Sequence, residues 1–193
     1  MRGMRSLTEA EIEQVKRCFL GAFAARDRAL FTLGIKSGFR ISEILSLKLG
    51  DVFDNGKIQD RIYVRRKHMK GRNEGRCVVL HPEAKASIQL WADKLIANGA
   101  TSDTYIFKSR NGTNKPITRV QAWKMLTRIY AAAGLTGSLG THSLRKTFAD
   151  RVYDKLGHDL LKTQRALGHR DIKSTVSYLA FKQEDVDDAI LSI

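Results

Sequence analysis

Cysteines, acidic side chains and long apolar runs are all scarce in this chain. Its two cysteines, Cys18 and Cys77, are far apart and form no Cys-x-x-Cys motif, which argues against a zinc finger and a disulfide framework. No apolar stretch approaches the roughly 18 residues of a membrane span, and the N-terminus lacks the apolar core of a signal peptide. No cluster of metal ligands, internal repeat or low-complexity segment is evident. We therefore expect a reduced cytoplasmic protein that uses no membrane, metal or other cofactor.

The charge of the chain is strongly unbalanced. It has 34 Lys and Arg against 20 Asp and Glu, which gives a formal net charge of +14. Such an excess indicates a polyanionic partner, and nucleic acid is favoured over a membrane surface because no lipidation motif or basic amphipathic anchor is present. A bacterial protein of this kind is then expected to be associated with the nucleoid. With 193 residues, 42% of them hydrophobic, the chain is long enough to bury one good core.

Hydrophobic periodicity predicts a mostly helical protein with one small β-region. The β-prone runs 62–64 and 76–80, separated by turn sequences, predict an antiparallel sheet of about three strands. The expected fold class is mostly α with a small antiparallel β-sheet (α+β). Helical spacing predicts helices over 8–22, 25–37, 82–98, 118–133 and from 141 onward. The residues expected on the buried side of the helix over 118–133 are Val120, Trp123, Leu126 and Tyr130.

The turn between the last two predicted strands is unusually cationic. Its basic residues are Arg65, Arg66, Lys67, Lys70 and Arg72. One interpretation is a sheet edge that Lys and Arg protect from aggregation. The competing interpretation, favoured by the overall charge, is a hairpin tip that reaches into a DNA groove or towards a scissile phosphate.

The stretch from Thr141 onward contains residues suited to phosphate chemistry. Apolar residues recur every four positions from Leu144, which predicts a helix with Thr141 as its N-cap. His142 and Arg145 are three apart, so they share one face of the first turn, where backbone N–H groups favour an anion. For that pair alone, a capped surface helix with an incidental His and Arg is the favoured explanation.

A second group of polar residues follows this helix. Gly168 is expected to end another helix in the left-handed conformation, with His169 on the turn after it. Nine residues later, Tyr178 lies in a short helical segment, where a tyrosine belongs to the core more often than to a catalytic site. Taken singly, none of these residues justifies a mechanism.

Arg40 lies in a turn between two predicted helices, within S-G-F-R-I-S-E-I-L-S-L. Ser42 is expected to cap the short helix that follows. An Arg on such a turn is either a solvated cation or a functional one. Glu43, three residues on, is positioned to hold its guanidinium in a fixed orientation.

In their order along the chain, these motifs resemble the tyrosine recombinase (phage integrase) family. The resemblance rests on Arg40 in its motif, a Lys on a β-hairpin, H-S-L-R at 142–145, L-G-H at 167–169, and Tyr178. It spans nearly the whole chain, and five separated elements in order are far more specific than any one of them. The family implies a mostly helical catalytic domain with a small sheet. It also implies a double-stranded DNA substrate and strand exchange through a covalent intermediate, without ATP or metal.

The resemblance assigns a role to each matching residue. Tyr178 would attack the scissile phosphodiester, giving a 3′-phosphotyrosine and a free 5′-hydroxyl. Arg40 and Arg145 would bind the non-bridging oxygens, because guanidinium groups match phosphate geometry bidentately. His142 and His169 would assist with hydrogen bonds and proton transfer. Since a phenol has a pKa of about 10, Tyr178 needs a nearby base or strongly cationic surroundings to attack at neutral pH, and His142 is the candidate base.

The remaining assignments concern the hairpin and the support of the site. Lys70 would be the general acid for the leaving 5′ oxygen, and the run K-G-x-N-x-x-R-x-V-x-L favours it over Lys67. Glu43 matches a position that supports the site from behind, and Lys146 stands where many family members have His. The residues expected to contact DNA are Arg65, Arg66, Lys67, Arg72 and Lys146.

The resemblance also sets expectations for domains, assembly and rival functions. We expect one catalytic domain over 1–193, with a core to about residue 180 and a tail helix over 181–193, and without the family's usual N-terminal DNA-clamp domain. Recombination between two duplexes implies a homo-tetramer on synapsed DNA, with a monomer as the free form. The rivals are DNA relaxation in the manner of a type IB topoisomerase and a non-catalytic DNA-binding regulator on the same fold.

Overall fold

The computed structural model describes residues 3–64, 76–110, 113–179, 187 and 190–192. The chain divides into two compact units, Met1–Phe148 and Ala149–Ile193. This division does not test the expected single catalytic domain, which stays a prediction. Most of the expected tail helix lies outside the described residues.

Helices account for most of the regular structure in the described residues, which confirms the predicted fold class. None of these helices is long and apolar enough to cross a bilayer. The helices are α1 Glu9–Arg17, α2 Ala24–Ser37, α3 Ile41–Leu45, α4 Leu49–Val52, α5 Pro82–Ala97, α6 Arg119–Ala132, α7 Thr141–Lys155, α8 Leu160–Leu167 and α9 Ile172–Val176.

Two short antiparallel ladders form the β-structure of the described residues. The prediction of one sheet of about three strands is wrong in this detail, since each ladder has two strands. Within the second ladder, Ile62 and Val64 are buried whereas Tyr63 is exposed, so successive side chains of β3 alternate between the core and the surface. The pairs are β1 Phe53–Asp54 with β2 Lys57–Ile58, and β3 Arg61–Val64 with β4 Arg76–Val79.

The first helix begins as its sequence predicts but ends early. Thr8 Oγ1 accepts a hydrogen bond from Glu11 N, and Glu11 Oε2 accepts one from Thr8 N, which completes a capping box. The helix ends at Arg17 rather than at residue 22. The helical spacing of apolar residues therefore extends beyond the end of the helix. Phe19 continues that spacing and is buried, but it lies in the connecting segment.

The second helix is the most buried element of the first unit. Leu30, Phe31 and Leu33 have no exposed surface, and the helix packs against α5. A Cβ atom added at Gly34 would lie 2.6 Å from Leu144 Cδ1, so glycine lets the start of α7 approach α2 closely. The His142 turn is thereby brought beside the end of α2.

Gly38 ends α2 with φ of 62° and lies against the ring of Phe148. We expect Gly38→Ala to lower the free energy of unfolding by about 2–4 kcal/mol, because left-handed strain adds to steric overlap. Gly21→Ala is the matched control, since Gly21 also has positive φ but nothing within 4 Å of an added Cβ, and should cost about 1 kcal/mol. Urea denaturation followed by circular dichroism measures both. Equal losses would show that Phe148 simply moves aside.

Residues 4–8 form an N-terminal strap against the segment that precedes α7 and against α7 itself. Arg5 N donates to Ser138 O at 2.9 Å. Leu7 N donates to Thr147 Oγ1 at 2.9 Å in a buried hydrogen bond. The strap therefore holds both the approach to α7 and its second turn.

Candidate active site

Arg40 occupies the N-cap position of α3, two residues after Gly38. Glu43 Oε2 accepts a hydrogen bond from Arg40 N at 2.7 Å, and Glu43 Oε1 accepts one from Arg40 Nη1 at 3.0 Å. The Glu43 side chain is 1% exposed, whereas that of Arg40 is 36% exposed. One buried carboxylate thus caps the helix and holds the guanidinium in the expected contact. The expectation that Ser42 caps α3 is wrong, because Glu43 does the capping.

The catalytic candidates on α7 lie at its very start. The helix begins at Thr141 itself, so Gly140 rather than Thr141 precedes it. Ser143 Oγ accepts a hydrogen bond from Gly140 N at 3.1 Å, which satisfies an N–H group at the helix entrance. Thr147 Oγ1 donates to Ser143 O at 2.8 Å. The first two turns are therefore fixed by side chains as well as by the helix ladder.

Arg145 is buried, with 2% of its surface exposed. Its Nη1 donates to Gly38 O, which lies 107 residues away in sequence. Burial of a guanidinium is costly unless its N–H groups are hydrogen-bonded, and the Gly38 carbonyl provides one such acceptor. The same bond places Arg145 beside the turn that carries Arg40.

His142 lies on α7 next to these two cations. The pKa of His142 is lowered from its ordinary value, first by partial burial of the ring and then by the positive charges of Arg145 and Arg40. By surface area the residue is still exposed, so a ligand can reach it while part of the imidazole is desolvated. At neutral pH the imidazole is uncharged and able to accept a proton.

We expect His142 to titrate below the usual histidine pKa of about 6.5 in NMR spectra of the folded protein. Arg40→Gln should raise that pKa, because it removes one repelling charge, whereas Arg17→Gln on α1 should leave it unchanged. The folded state takes up this proton less readily than the unfolded chain. The contribution of His142 to stability is therefore full above about pH 6.5 and falls as the pH drops through the folded pKa. Titration of His142 at or above pH 6.5 would contradict the lowered pKa.

In the second unit, His169 follows the left-handed Gly168 that ends α8, where φ is 66°. The imidazole is buried, and its Nδ1 lies 3.0 Å from Thr175 Oγ1, within hydrogen-bonding distance. His169 N donates to Gln164 O at 3.1 Å. These contacts fix the position of the ring between α8 and α9.

Tyr178 follows α9 directly. Its N–H donates to Thr175 O at 3.0 Å, and its ring centroid lies 5.2 Å from that of His169. Asp171 caps α9, with Oδ1 accepting a hydrogen bond from Ser174 N at 2.8 Å. Tyr178 is partly exposed, so its ring is not sealed in the core.

The predicted site residues fall into two clusters. The cationic cluster, in the first unit, is Arg40, His142 and Arg145 with Glu43 behind Arg40; the tyrosine cluster, in the second, is His169 and Tyr178. Lys146, also predicted for DNA contact, is partly buried on α7. The hairpin residues predicted for catalysis or DNA contact all lie outside the described residues. They are Arg65, Arg66, Lys67, Lys70 and Arg72.

Two groups that shape these clusters were not found from the sequence. The carbonyl oxygen of Gly38 accepts a hydrogen bond from Arg145, and a backbone carbonyl leaves no sequence signal for its long-range partner. The hydroxyl of Thr175 lies 3.0 Å from His169 Nδ1, and a threonine inside a short helix gives no signal of such a contact. In the described part of the chain, no group of three or more His, Cys, Asp or Glu side chains is placed to hold a metal ion.

Comparison of the sequence with known proteins gives consistent results. The profile of the phage integrase family matches residues 5–185. The probable integrase/recombinase YoeC of Bacillus subtilis is 33% identical over 181 residues, which cover 94% of this chain and 90% of YoeC. Tyrosine recombinase XerD of Staphylococcus saprophyticus is 31% identical over 153 residues, covering 79% of this chain and 49% of XerD.

Among solved structures, XerH site-specific recombinase in a post-cleavage complex with palindromic difH substrate is similar in fold. The TM-score is 0.75 at 27% identity, and the match covers 96% of this chain and 51% of that one. The chain therefore spans nearly all of YoeC but about half of XerD and of XerH.

Proposed function

Because this chain belongs to the phage integrase family, we propose that it is a site-specific tyrosine recombinase that cleaves and rejoins double-stranded DNA. The family membership predicted from the sequence is confirmed. The observation that carries the proposed chemistry is the cationic cluster, in which buried Arg145 is hydrogen-bonded to the turn of Arg40 beside His142, whose pKa is lowered by partial burial and by these two cations. Such a cluster suits a phosphodiester, whose equatorial oxygens gain negative charge in the transition state.

In the proposed reaction, the Tyr178 hydroxyl oxygen attacks the scissile phosphorus. The bond from phosphorus to the 5′ oxygen breaks, leaving a 3′-phosphotyrosine and a 5′-hydroxyl. Arg40 and Arg145 bind the non-bridging oxygens through charge-assisted hydrogen bonds. The phenol proton passes to His142, and His169 adds a hydrogen bond. Rejoining reverses these steps and needs no ATP, because the phosphotyrosine conserves the bond energy.

The proposal also covers the leaving group and the assembly. Lys70 donates a proton to the 5′ oxygen as the bond breaks, and Arg65, Arg66, Lys67, Arg72 and Lys146 contact DNA phosphates. Affinity for DNA then falls steeply with salt, because each neutralised phosphate releases counterions. Four protomers act on two synapsed duplexes, while the free protein is a monomer.

A nicked duplex tests this function directly. The binding site is first selected from a random duplex library, and a nick is then placed next to the cleavage position so that the released fragment diffuses away. We expect a covalent protein–DNA adduct in EDTA and without ATP, with phosphate joined to protein at the 3′ side. If the protein binds the selected site tightly but forms no adduct on it, the protein is a non-catalytic DNA-binding protein. Supercoil relaxation without recombinant product would indicate the topoisomerase alternative.

A further inference from the structure

A groove in the first unit has no part in the proposed chemistry. It has a volume of ≈ 340 Å³ and lies between α6, the start of α2 and the segment around Ser109. The side chains that define this basic groove are Leu20, Phe23, Arg26, Arg110, Lys124 and Arg128.

The groove carries an excess of positive charge. Asp27 is its one acidic lining residue among those the structure describes, against four cations. Arg26 neutralises Asp27 in an ion pair of 2.8 Å. Arg110, Lys124 and Arg128 remain on the exposed surface, so the net field in the groove favours an anionic ligand.

Two of these cations make cation–π contacts with the ring of Phe23. The guanidinium of Arg26 lies 4.6 Å from the centroid of the Phe23 ring, and that of Arg110 lies 5.4 Å from it. Arg26 is 9% exposed and its Nη1 also donates to Lys108 O at 3.4 Å. Cation–π contacts of this kind restrict the guanidinium groups before any ligand arrives.

The other end of the groove is mostly apolar. A second cavity of ≈ 210 Å³ shares Leu20, Asp27, Met125 and Arg128 with the first and continues to Ile129 and Ala132. Because Asp27 is paired with Arg26, the apolar side chains of Leu20, Met125 and Ile129 remain for an apolar ligand group. Leu20 is 84% exposed at the point where the two cavities meet. The surface thus offers an apolar pocket beside a cluster of cations along one face of α6.

The side of α6 that carries Gln121 and Met125 is turned away from the start of α7, where His142 lies. Trp123 lies on the side facing the start of α7, since its Nε1 is 3.1 Å from a Cβ added at Gly140. Gln121 and Met125 are two residues from Trp123 on either side, which places each about 160° around the helix from it. Trp123 and Val120 are exposed, so their predicted place on the buried side is wrong. A ligand in the basic groove would leave the cationic cluster accessible.

We propose that the basic groove binds an acidic peptide segment of a partner protein, with its carboxylates at Lys124 and Arg128 and an aliphatic or aromatic side chain at Leu20 and Met125. Arg clusters recognise acidic motifs in this way, and an apolar anchor adds affinity. Duplex DNA fits less well, because its outer surface is phosphate and sugar and its apolar base faces are stacked inside, so it offers little to the apolar end of the groove. This inference goes beyond recombination and does not depend on the reaction.

The probe is a fluorescein-labelled peptide, Glu-Asp-Leu-Glu-Asp-Phe-Asp-Glu-Leu, followed by fluorescence anisotropy with the full chain at about 150 mM salt. We expect micromolar binding that weakens about tenfold in Lys124→Glu and again in Arg128→Glu. Lys94→Glu on α5 makes the same charge change on another exposed face and should leave affinity within about twofold. Leu20→Ser should weaken binding about threefold or more.

Two controls decide between the peptide and other ligands. A control peptide with Gln in place of Glu and Asn in place of Asp should not bind. An added DNA duplex should bind the protein without displacing the acidic peptide. If the peptide binds the Lys124→Glu, Arg128→Glu and Lys94→Glu variants with equal affinity, binding reflects only the overall charge of the protein and the proposal is wrong. The proposal is also wrong if Leu20→Ser leaves the affinity unchanged. If DNA displaces the peptide, or if the groove variants lose affinity for DNA rather than for the peptide, the groove binds nucleic acid and the proposal is wrong.

Discussion

Tyr178→Phe is expected to lower covalent adduct formation on the nicked duplex by a factor of about 10⁴ or more. The change removes the oxygen that forms the bond to phosphorus but keeps the ring that packs 5.2 Å from His169. Binding of the uncleaved duplex should therefore stay within about twofold of the original, since no DNA-contacting cation is altered. Gel electrophoresis under denaturing conditions measures the adduct, and anisotropy of labelled DNA measures binding.

Tyr153→Phe is the matched control, because it removes a phenol oxygen from α7 in the same unit. That variant should form the adduct at the normal rate. An adduct that persists in Tyr178→Phe would identify a different nucleophile. Loss of the adduct in both variants would mean that either substitution disturbs the unit as a whole.

Arg145→Lys is expected to reduce the cleavage rate by about 10²–10³-fold and the free energy of unfolding by about 1–3 kcal/mol. Both effects have one origin. The Arg145 guanidinium bonds to Gly38 O and has further N–H groups for a phosphate, whereas a single ammonium cannot reproduce that fork. Single-turnover cleavage and urea denaturation measure the two losses independently.

Arg17→Lys, on the exposed end of α1, provides the comparison for Arg145→Lys. It should change neither cleavage nor stability measurably. Normal cleavage in Arg145→Lys, together with lost stability, would restrict Arg145 to a structural role. Unchanged stability with lost cleavage would mean that Gly38 O finds another donor or water.

Much of the helical framework was predictable because local signals and packing agree in it. The capping box at Thr8 and the left-handed glycines at 38 and 168 define helix ends through short-range chemistry. The prediction of which α6 residues are buried was half wrong, since Trp123 is exposed while Leu126 and Tyr130 are buried. Which face a helix buries depends on its neighbours, and helical periodicity alone admits both choices.

The site was predictable as a set of residues and not as a geometry. The order of Arg40, His142, Arg145, His169 and Tyr178 along the chain indicated phosphate chemistry and the family. The bond from Arg145 to a carbonyl 107 residues away and the lowered pKa of His142 depend on tertiary contacts. The chain carries no local pattern for either of them.

The N-terminal strap has a practical consequence for protein engineering. Leu7 N donates to Thr147 Oγ1, and Thr147 in turn donates to Ser143 O in the first turn of α7. A targeting module fused to this protein should therefore be joined ahead of Arg5, through a linker long enough to carry no tension. A junction placed inside the strap would loosen the helix that presents His142 and Arg145, even though the splice lies far from both in sequence.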